Sequence, residues 1–238
     1  MAKSLEVILS PALLPYCDVK DRIVVMIDVL RAGTSICVAF QTGVEKILPV
    51  ASPEECMVFK DFDFVIAAER NAVKVDGFDL GNSPFEYENP LLAGRKIAFT
   101  TTNGTKAIRQ SREQGASAIV IGSFLNLEFL CDWLRQQDGS VSLLCAGWKN
   151  KYNLEDTFFA GAVVKHIGTD YEMDCDAALT AKELYEKHES DPEPLIRRSS
   201  HANRFKLLDM HTDDVQYSLQ KNITPLLPVL KGEYIVKL

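Results

Sequence analysis

The run Asp28-Val-Leu-Arg-Ala-Gly-Thr-Ser35 places a carboxylate, a guanidinium and two hydroxyls within a few residues. An acid at the end of an apolar strand, followed by a Gly-Thr-Ser helix start, offers an anion the backbone N–H groups, the Thr34 and Ser35 hydroxyls and the Arg31 fork. An acid beside an anion repels it unless a cation bridges the two. Mg²⁺ suits that bridge, because it takes one or two carboxylates and fills its shell with water and phosphate oxygens. Without a ligand the same residues make a helix cap at Thr34 or Ser35, with Asp28 paired to Arg31. Taken alone, the run is divided evenly between these readings.

Three further runs add donors. Glu69-Arg70 ends a second apolar segment and is followed by Gly77-Phe-Asp-Leu-Gly-Asn-Ser-Pro84. This stretch, with Asn82 at its heart, is either a Gly/Asn/Pro turn or part of a binding loop. Thr100-Thr-Thr-Asn-Gly-Thr105 closes a strand with hydroxyls and opens a helix through Asn-Gly; it reads first as an anion site where Thr101, Thr102, Asn103, Gly104 and Thr105 converge, and second as a β-branched strand end with an Asn-Gly turn. Cys145-Ala-Gly147 precedes Asn153-Leu-Glu-Asp156. Cys145 reads first as a buried strand end and second as a nucleophile. Asp156 reads either as a third metal ligand beside Asp28 and Glu69 or as a first-turn acid that complements the helix dipole. Arg197, Arg198, His201 and Arg204 form a basic run in an acidic chain, which is a solvated face or a second anion-binding group.

The elements that would position these residues alternate. Strands are predicted at 22–28, 46–50, 64–68, 96–102, 118–122, 141–145 and 234–238. Helices are predicted at 34–42, from Ser52-Pro-Glu-Glu55 (a capping box with proline at the first turn), at 105–114, from Asn126, from Asn153 to His166, at 177–188 and on to about Leu208. Residues 69–95 read as a long functional loop. Alternation predicts an α/β fold, a layered αβα arrangement with a mostly parallel sheet and the site in the crevice at the strand C-terminal edge. The chain reads as one domain over 1–238, compatible with lobes at about 1–115 and 116–238. By the sheet rule Glu69 shares an edge with Asp28, which makes them a metal pair.

The chain has 238 residues, of which 47% are hydrophobic and 25% charged, with a net charge of −7. That composition supports a packed core and excludes a protein that coats nucleic acid. The most apolar window, 23–40, contains Asp28 and Arg31, so no membrane span is expected. The six cysteines form no CxxC pair, which argues against a zinc knuckle and for a reducing, cytoplasmic setting. No HExxH spacing marks a zinc hydrolase, and no GxGxxG follows the first strong strand, which counts against a dinucleotide enzyme.

In order and separation, DVLRAGTS, AER with GFDLGNSP, TTTNGT and CAG with LED (Cys145 to Gly161) resemble the 2-phosphosulfolactate phosphatase family. The likeness spans about 22–165, with weaker echoes at Ser200-His201 and 213–228. It implies a layered α/β fold and a Mg²⁺-dependent phosphatase that releases phosphate from phosphosulfolactate, in coenzyme M biosynthesis. Gly33-Thr34-Ser35 and 71–75 depart from the family's threonine and glycine runs. A substrate with a sulfonate needs a second cationic pocket, for which Lys106, Arg70 and Arg204 are the candidates. On this reading Asp28, Glu69 and Asp156 hold Mg²⁺. Arg31, Thr34, Ser35, Asn82 and Thr101 to Thr105 hold the phosphorylated acid. Attack by Asp28 or by water remains open, with a cysteinyl-phosphate on Cys145 as the weaker third course. The expected partner is a small phosphorylated acid, with no nucleic acid or membrane, and a homodimer is compatible. A non-catalytic sensor of a phosphorylated metabolite is the rival function, since the same cradle would serve it.

Overall fold

In the computed structural model, which describes residues 3–101, 103–207 and 213–238, the strands join in one sheet. They are β1 (Leu5–Ile8), β2 (Ile23–Ile27), β3 (Lys46–Pro49), β4 (Phe64–Arg70), β5 (Val73–Lys74), β6 (Lys96–Thr100), β7 (Ala118–Gly122), β8 (Val141–Cys145), β9 (Pro228–Lys231) and β10 (Tyr234–Lys237). The helices are α1 (Ala32–Thr42), α2 (Pro53–Val58), α3 (Gly104–Glu113), α4 (Leu127–Arg135), α5 (Leu154–Ile167), α6 (Asp176–His188), α7 (Glu193–Ile196), α8 (Ser200–Leu207) and α9 (Asp213–Ser218). Short 3₁₀ turns fill several connections. The predicted α/β class and mostly parallel sheet are both present, and among the described residues no helix is long and apolar enough to cross a membrane.

The sheet order is β1-β8-β2-β7-β9-β10-β3-β6-β4-β5. The strands β1, β8, β2 and β7 form one parallel block, and β3, β6 and β4 form another. The hairpin β9–β10, turned at Gly232 with φ +60°, is inserted between them. It pairs antiparallel with β7 on one side and with β3 on the other. Three reversals of direction therefore separate the blocks, which run in opposite senses.

A flat sheet would then send the C-terminal ends of β2 and β4 to opposite edges. Neighbouring strands rotate by roughly 20–25° each, and the pairings from β2 to β6 accumulate a turn of roughly 100° or more. Alternate residues of β2 face two different cores. Val25 and Ile27 pack with Phe158, Val163 and Leu130 of α5 and α4. Val24 and Met26 join Ile36 and Phe40 of α1, Ala107 and Ile108 of α3, and Ile47 and Phe99 of the second block. Both sheet faces are covered, which is why β2 reads as an unbroken apolar run. The second block's outer side carries α2, packed through Cys56 against Ile66 and Ala98. All six cysteines are free thiols.

Candidate active site

Asp28 follows β2 directly, and its main-chain carbonyl accepts from Gly33 N–H at 2.8 Å. A Cβ at residue 33 would stand 2.9 Å from Gly122 O and 3.0 Å from Asp28 O, so glycine alone lets α1 begin so close beneath β2. Glu69 lies near the end of β4, where its carboxylate accepts from Ala72 N–H. Both acids are more than nine-tenths buried, and both line one narrow cleft with Arg31, Asn82, Thr101 and Asn103. Members of three separate predicted motifs thus meet. The N-terminus of α3 abuts the Asp28 carboxylate: a Cβ at Gly104 would lie 3.2 Å from Oδ2 and 3.3 Å from Thr101 Oγ1. Thr101 Oγ1 also accepts from Gly104 N–H at 3.1 Å, holding this turn. The dipole of α3 therefore points its positive end into the cleft.

Burial pushes the Asp28 carboxyl up to about 6; His201 pulls it back and Glu69 adds to the rise. Arg31 is 2% exposed and firmly held. Its Nη1 bonds Asp214 Oδ2 at 2.7 Å, its Nη2 donates to Ala72 O at 2.7 Å, and its guanidinium lies 4.8 Å from the Phe205 ring centre. Ser83 Oγ donates to the other Asp214 oxygen at 2.7 Å. Asn103 spans the cleft mouth, donating to Gly147 O at 2.9 Å and accepting from Lys149 N–H at 3.1 Å.

Several expected ligands are turned elsewhere. Thr34 Oγ1 donates to Val29 O at 3.0 Å, and Ser35 Oγ donates to Asn82 O at 2.8 Å. Both are buried and spent on loop carbonyls, as short hydroxyls at a helix start often are. Thr105 Oγ1 donates to Thr101 O at 3.3 Å, and its side chain lines a neighbouring groove with Arg70 and Lys106. Thr102 lies outside the described residues. Asp156 is fully buried. Its oxygens accept from Val29 N–H at 2.9 Å and Gly147 N–H at 3.0 Å, so it ties the β2 and β8 loops together behind the cleft. Burial, Asp28 and Glu155 push its carboxyl well above the usual range. Asn153 holds the N-cap position of α5 without accepting from the helix; its amide donates to Asp156 at 3.5 Å. Burial and Asp156 push the Cys145 thiol far up, which leaves no thiolate for attack.

Two further residues line the cleft: His201 comes from the basic run, and Trp148 from none of the motifs read in the sequence. His201 sits on α8 with Nδ1 3.0 Å from Oε1 of the fully buried Glu155. Its ring lies 5.7 Å from Trp148 and 4.9 Å from Phe205, centre to centre. Arg204, one turn on, stacks 4.0 Å over Trp148, and its Nε and Nη2 are buried without a hydrogen-bond partner among the described residues. The basic run is thus divided. Arg197 pairs with Glu193 on the surface, His201 lines the cleft, and Arg204 reaches it only through its stack on the cleft residue Trp148. The i, i+3, i+4 spacing of His201, Arg204 and Phe205 was the available signal for one functional helix face.

A family model described as 2-phosphosulpholactate phosphatase matches residues 8–233. The probable 2-phosphosulfolactate phosphatase of Symbiobacterium thermophilum is 37% identical over 230 residues, which is 94% of this chain and 97% of that protein. Its counterpart in Thermotoga petrophila is 37% identical over 224 residues, covering 94% and 96%. That of Synechocystis is 34% identical over 227 residues, covering 92% of each.

Proposed function

The chain belongs to the 2-phosphosulfolactate phosphatase family, and from that membership we propose that it hydrolyses 2-phosphosulfolactate to sulfolactate and orthophosphate with the aid of Mg²⁺. The reaction class is that of a phosphoric monoester hydrolase. The observation that carries the reading is the pair of buried acids, Asp28 and Glu69, opening on one cleft against the N-terminus of α3. Acids at an anion-binding helix end make chemical sense with a cation between them.

The donor set fits that cation. Asn82 Oδ1 is buried beside the two carboxylates and has no hydrogen-bond partner among the described residues. It adds a neutral oxygen to the two charged ones. Among the described residues no three His, Cys, Asp or Glu side chains form a ready cage, and Mg²⁺ does not need one, since it keeps several waters. When bound, Mg²⁺ would offset phosphate charge and polarise the P–O bonds. The α3 N-terminus would orient the phosphoryl oxygens and support the charge that gathers on them. Arg31, braced by Asp214, would add a fixed positive field beside them. Of the three cations considered for the sulfonate, we favour Arg204, because two of its buried donors lack partners among the described residues and it stacks on the cleft residue Trp148. Arg70 is already engaged by Glu69 O and Thr100 Oγ1, at 2.6 and 3.3 Å.

Phosphate release from 2-phosphosulfolactate, measured with Mg²⁺ and with a chelator, tests the proposal. Release that depends on Mg²⁺ is expected. Binding of the ester without turnover under every metal condition would instead assign the chain to the sensor class.

A further inference from the structure

We propose that His201 is the proton donor to the leaving oxygen and that Glu155 positions it. The proposal rests on the phosphatase reading and deepens it. Three observations converge. The His201 ring lines the cleft that holds Asp28 and Glu69. Its Nδ1 meets Oε1 of Glu155 at 3.0 Å, and Glu155 is wholly buried on α5, so one ring nitrogen is fixed by an acid with no access to water. Trp148 and Phe205 flank the ring and limit its rotation. Nε2 has no hydrogen-bond partner among the described residues. It is therefore the polar atom left to meet a substrate.

A carboxylate on one imidazole nitrogen, with the other nitrogen facing a reaction cleft, is the arrangement that fixes a tautomer and supports charge on the ring during proton transfer. Burying a glutamate is unfavourable unless it is paired, and besides its place in the first turn of α5 the carboxylate has His201 as its partner. The alcohol oxygen of an alkyl phosphate leaves poorly as an anion, so a donor at that oxygen accelerates cleavage. The bond between phosphorus and the ester oxygen breaks, and its electron pair stays on that oxygen. The same oxygen takes the proton from Nε2. Water oxygen forms the new bond to phosphorus, and the proton it sheds restores Nε2–H through solvent. Monoester and water become alcohol and orthophosphate.

The test compares two esters. 2-Phosphosulfolactate has an alkoxide leaving group that needs a proton; p-nitrophenyl phosphate leaves as a stable phenolate that does not. In His201→Gln, kcat on 2-phosphosulfolactate should fall by about 10²–10⁴ with KM little changed, whereas kcat on p-nitrophenyl phosphate should fall by less than about tenfold. Glu155→Gln, close to isosteric, should show the same selectivity at smaller amplitude, and the double variant should lose little more than His201→Gln alone. Circular dichroism and a melting curve accompany each variant, and Glu155→Gln carries the comparison where His201→Gln does not fold. Equal losses on both esters, or full activity on 2-phosphosulfolactate in a folded His201→Gln, would overturn the proton donor and leave the phosphatase reading standing. A wild-type chain that releases phosphate from neither ester would overturn both.

Discussion

Asp28 stands between opposed influences. Burial and Glu69 disfavour its charge, while His201 and the Ala32 N–H favour it, and the carboxyl settles at about 6. Its folded value lies above the unfolded 3.8, so the proton binds the folded chain more tightly. That contribution to stability is complete below about 4 and is lost as pH rises through about 6. Asp28→Asn removes the buried charge and the strongest candidate oxygen ligand together. Without metal, the variant should melt at or above the wild-type temperature at pH 7.5, with the advantage shrinking towards pH 4. Its Mg²⁺-stimulated phosphate release should fall by at least about 10²-fold. A variant that melts lower at pH 7.5 and keeps its turnover would contradict both halves. Cys145 gives the opposite expectation. Its thiol is buried and held protonated, so alkylating the native protein should not inactivate it through this residue. Cys145→Ala should keep turnover within a few-fold and lose about 1 kcal/mol of stability, read by denaturant titration. These residues also divide what was legible. Asp28, Glu69, Thr101 and Asn103 announced themselves by ending apolar strands or opening helices. Thr34 and Ser35 carried the same signal, yet they face Val29 and Asn82 carbonyls, because side-chain direction within a helix's first turn depends on which loop packs over it.

Among the elements, the central strands were the easiest to read. β7 and β8 coincide with the predicted 118–122 and 141–145. Each is a short apolar run buried on both faces and bounded by turn residues. β1, β5 and β9 were missed: β5 has two residues, β9 begins with proline, and β1 is a short run beside the N-terminus. A few residues give too short a stretch for periodicity to decide. Helix α9 was likewise missed, although its Asp214 anchors the cleft by pairing with Arg31 between side chains 4% and 2% exposed. Removing one partner leaves a buried charge alone, a loss of about 3–5 kcal/mol. Asp214→Ala should therefore destabilise the protein by about that amount in chemical denaturation. It should also raise KM for 2-phosphosulfolactate, because the freed guanidinium no longer holds its place. A variant with wild-type stability would mean that α9 does not brace the site.

For the whole molecule, the decisive feature is the C-terminal hairpin. β9 and β10 connect two parallel blocks that run in opposite senses, and Ile235 and Leu226 belong to the apolar cluster shared by both. Deleting residues 228–238 would expose β7 and β3 as open edges and remove the link between the half that carries Asp28 and the half that carries Glu69. The truncated chain should lose its single cooperative melting transition and its phosphate release together, and it should aggregate at concentrations where the full chain does not. A truncated chain with an intact transition would assign the joining of the blocks to α1 and α3 alone. The sequence by itself determined the α/β class, the buried strands, the acids at their ends and the anion-binding turns, because each is a local pattern of burial period and backbone chemistry. It also suggested that Asp28 and Glu69 meet, but by supposing that they share one edge of a parallel sheet. Tertiary structure brings them together differently, by curling two opposed blocks around α1 and α3. Only that folding pairs Arg31 with Asp214 across 183 residues and His201 with Glu155 across 46. Such pairs depend on which distant surfaces bury the most apolar area against one another, and no short window of sequence contains that sum.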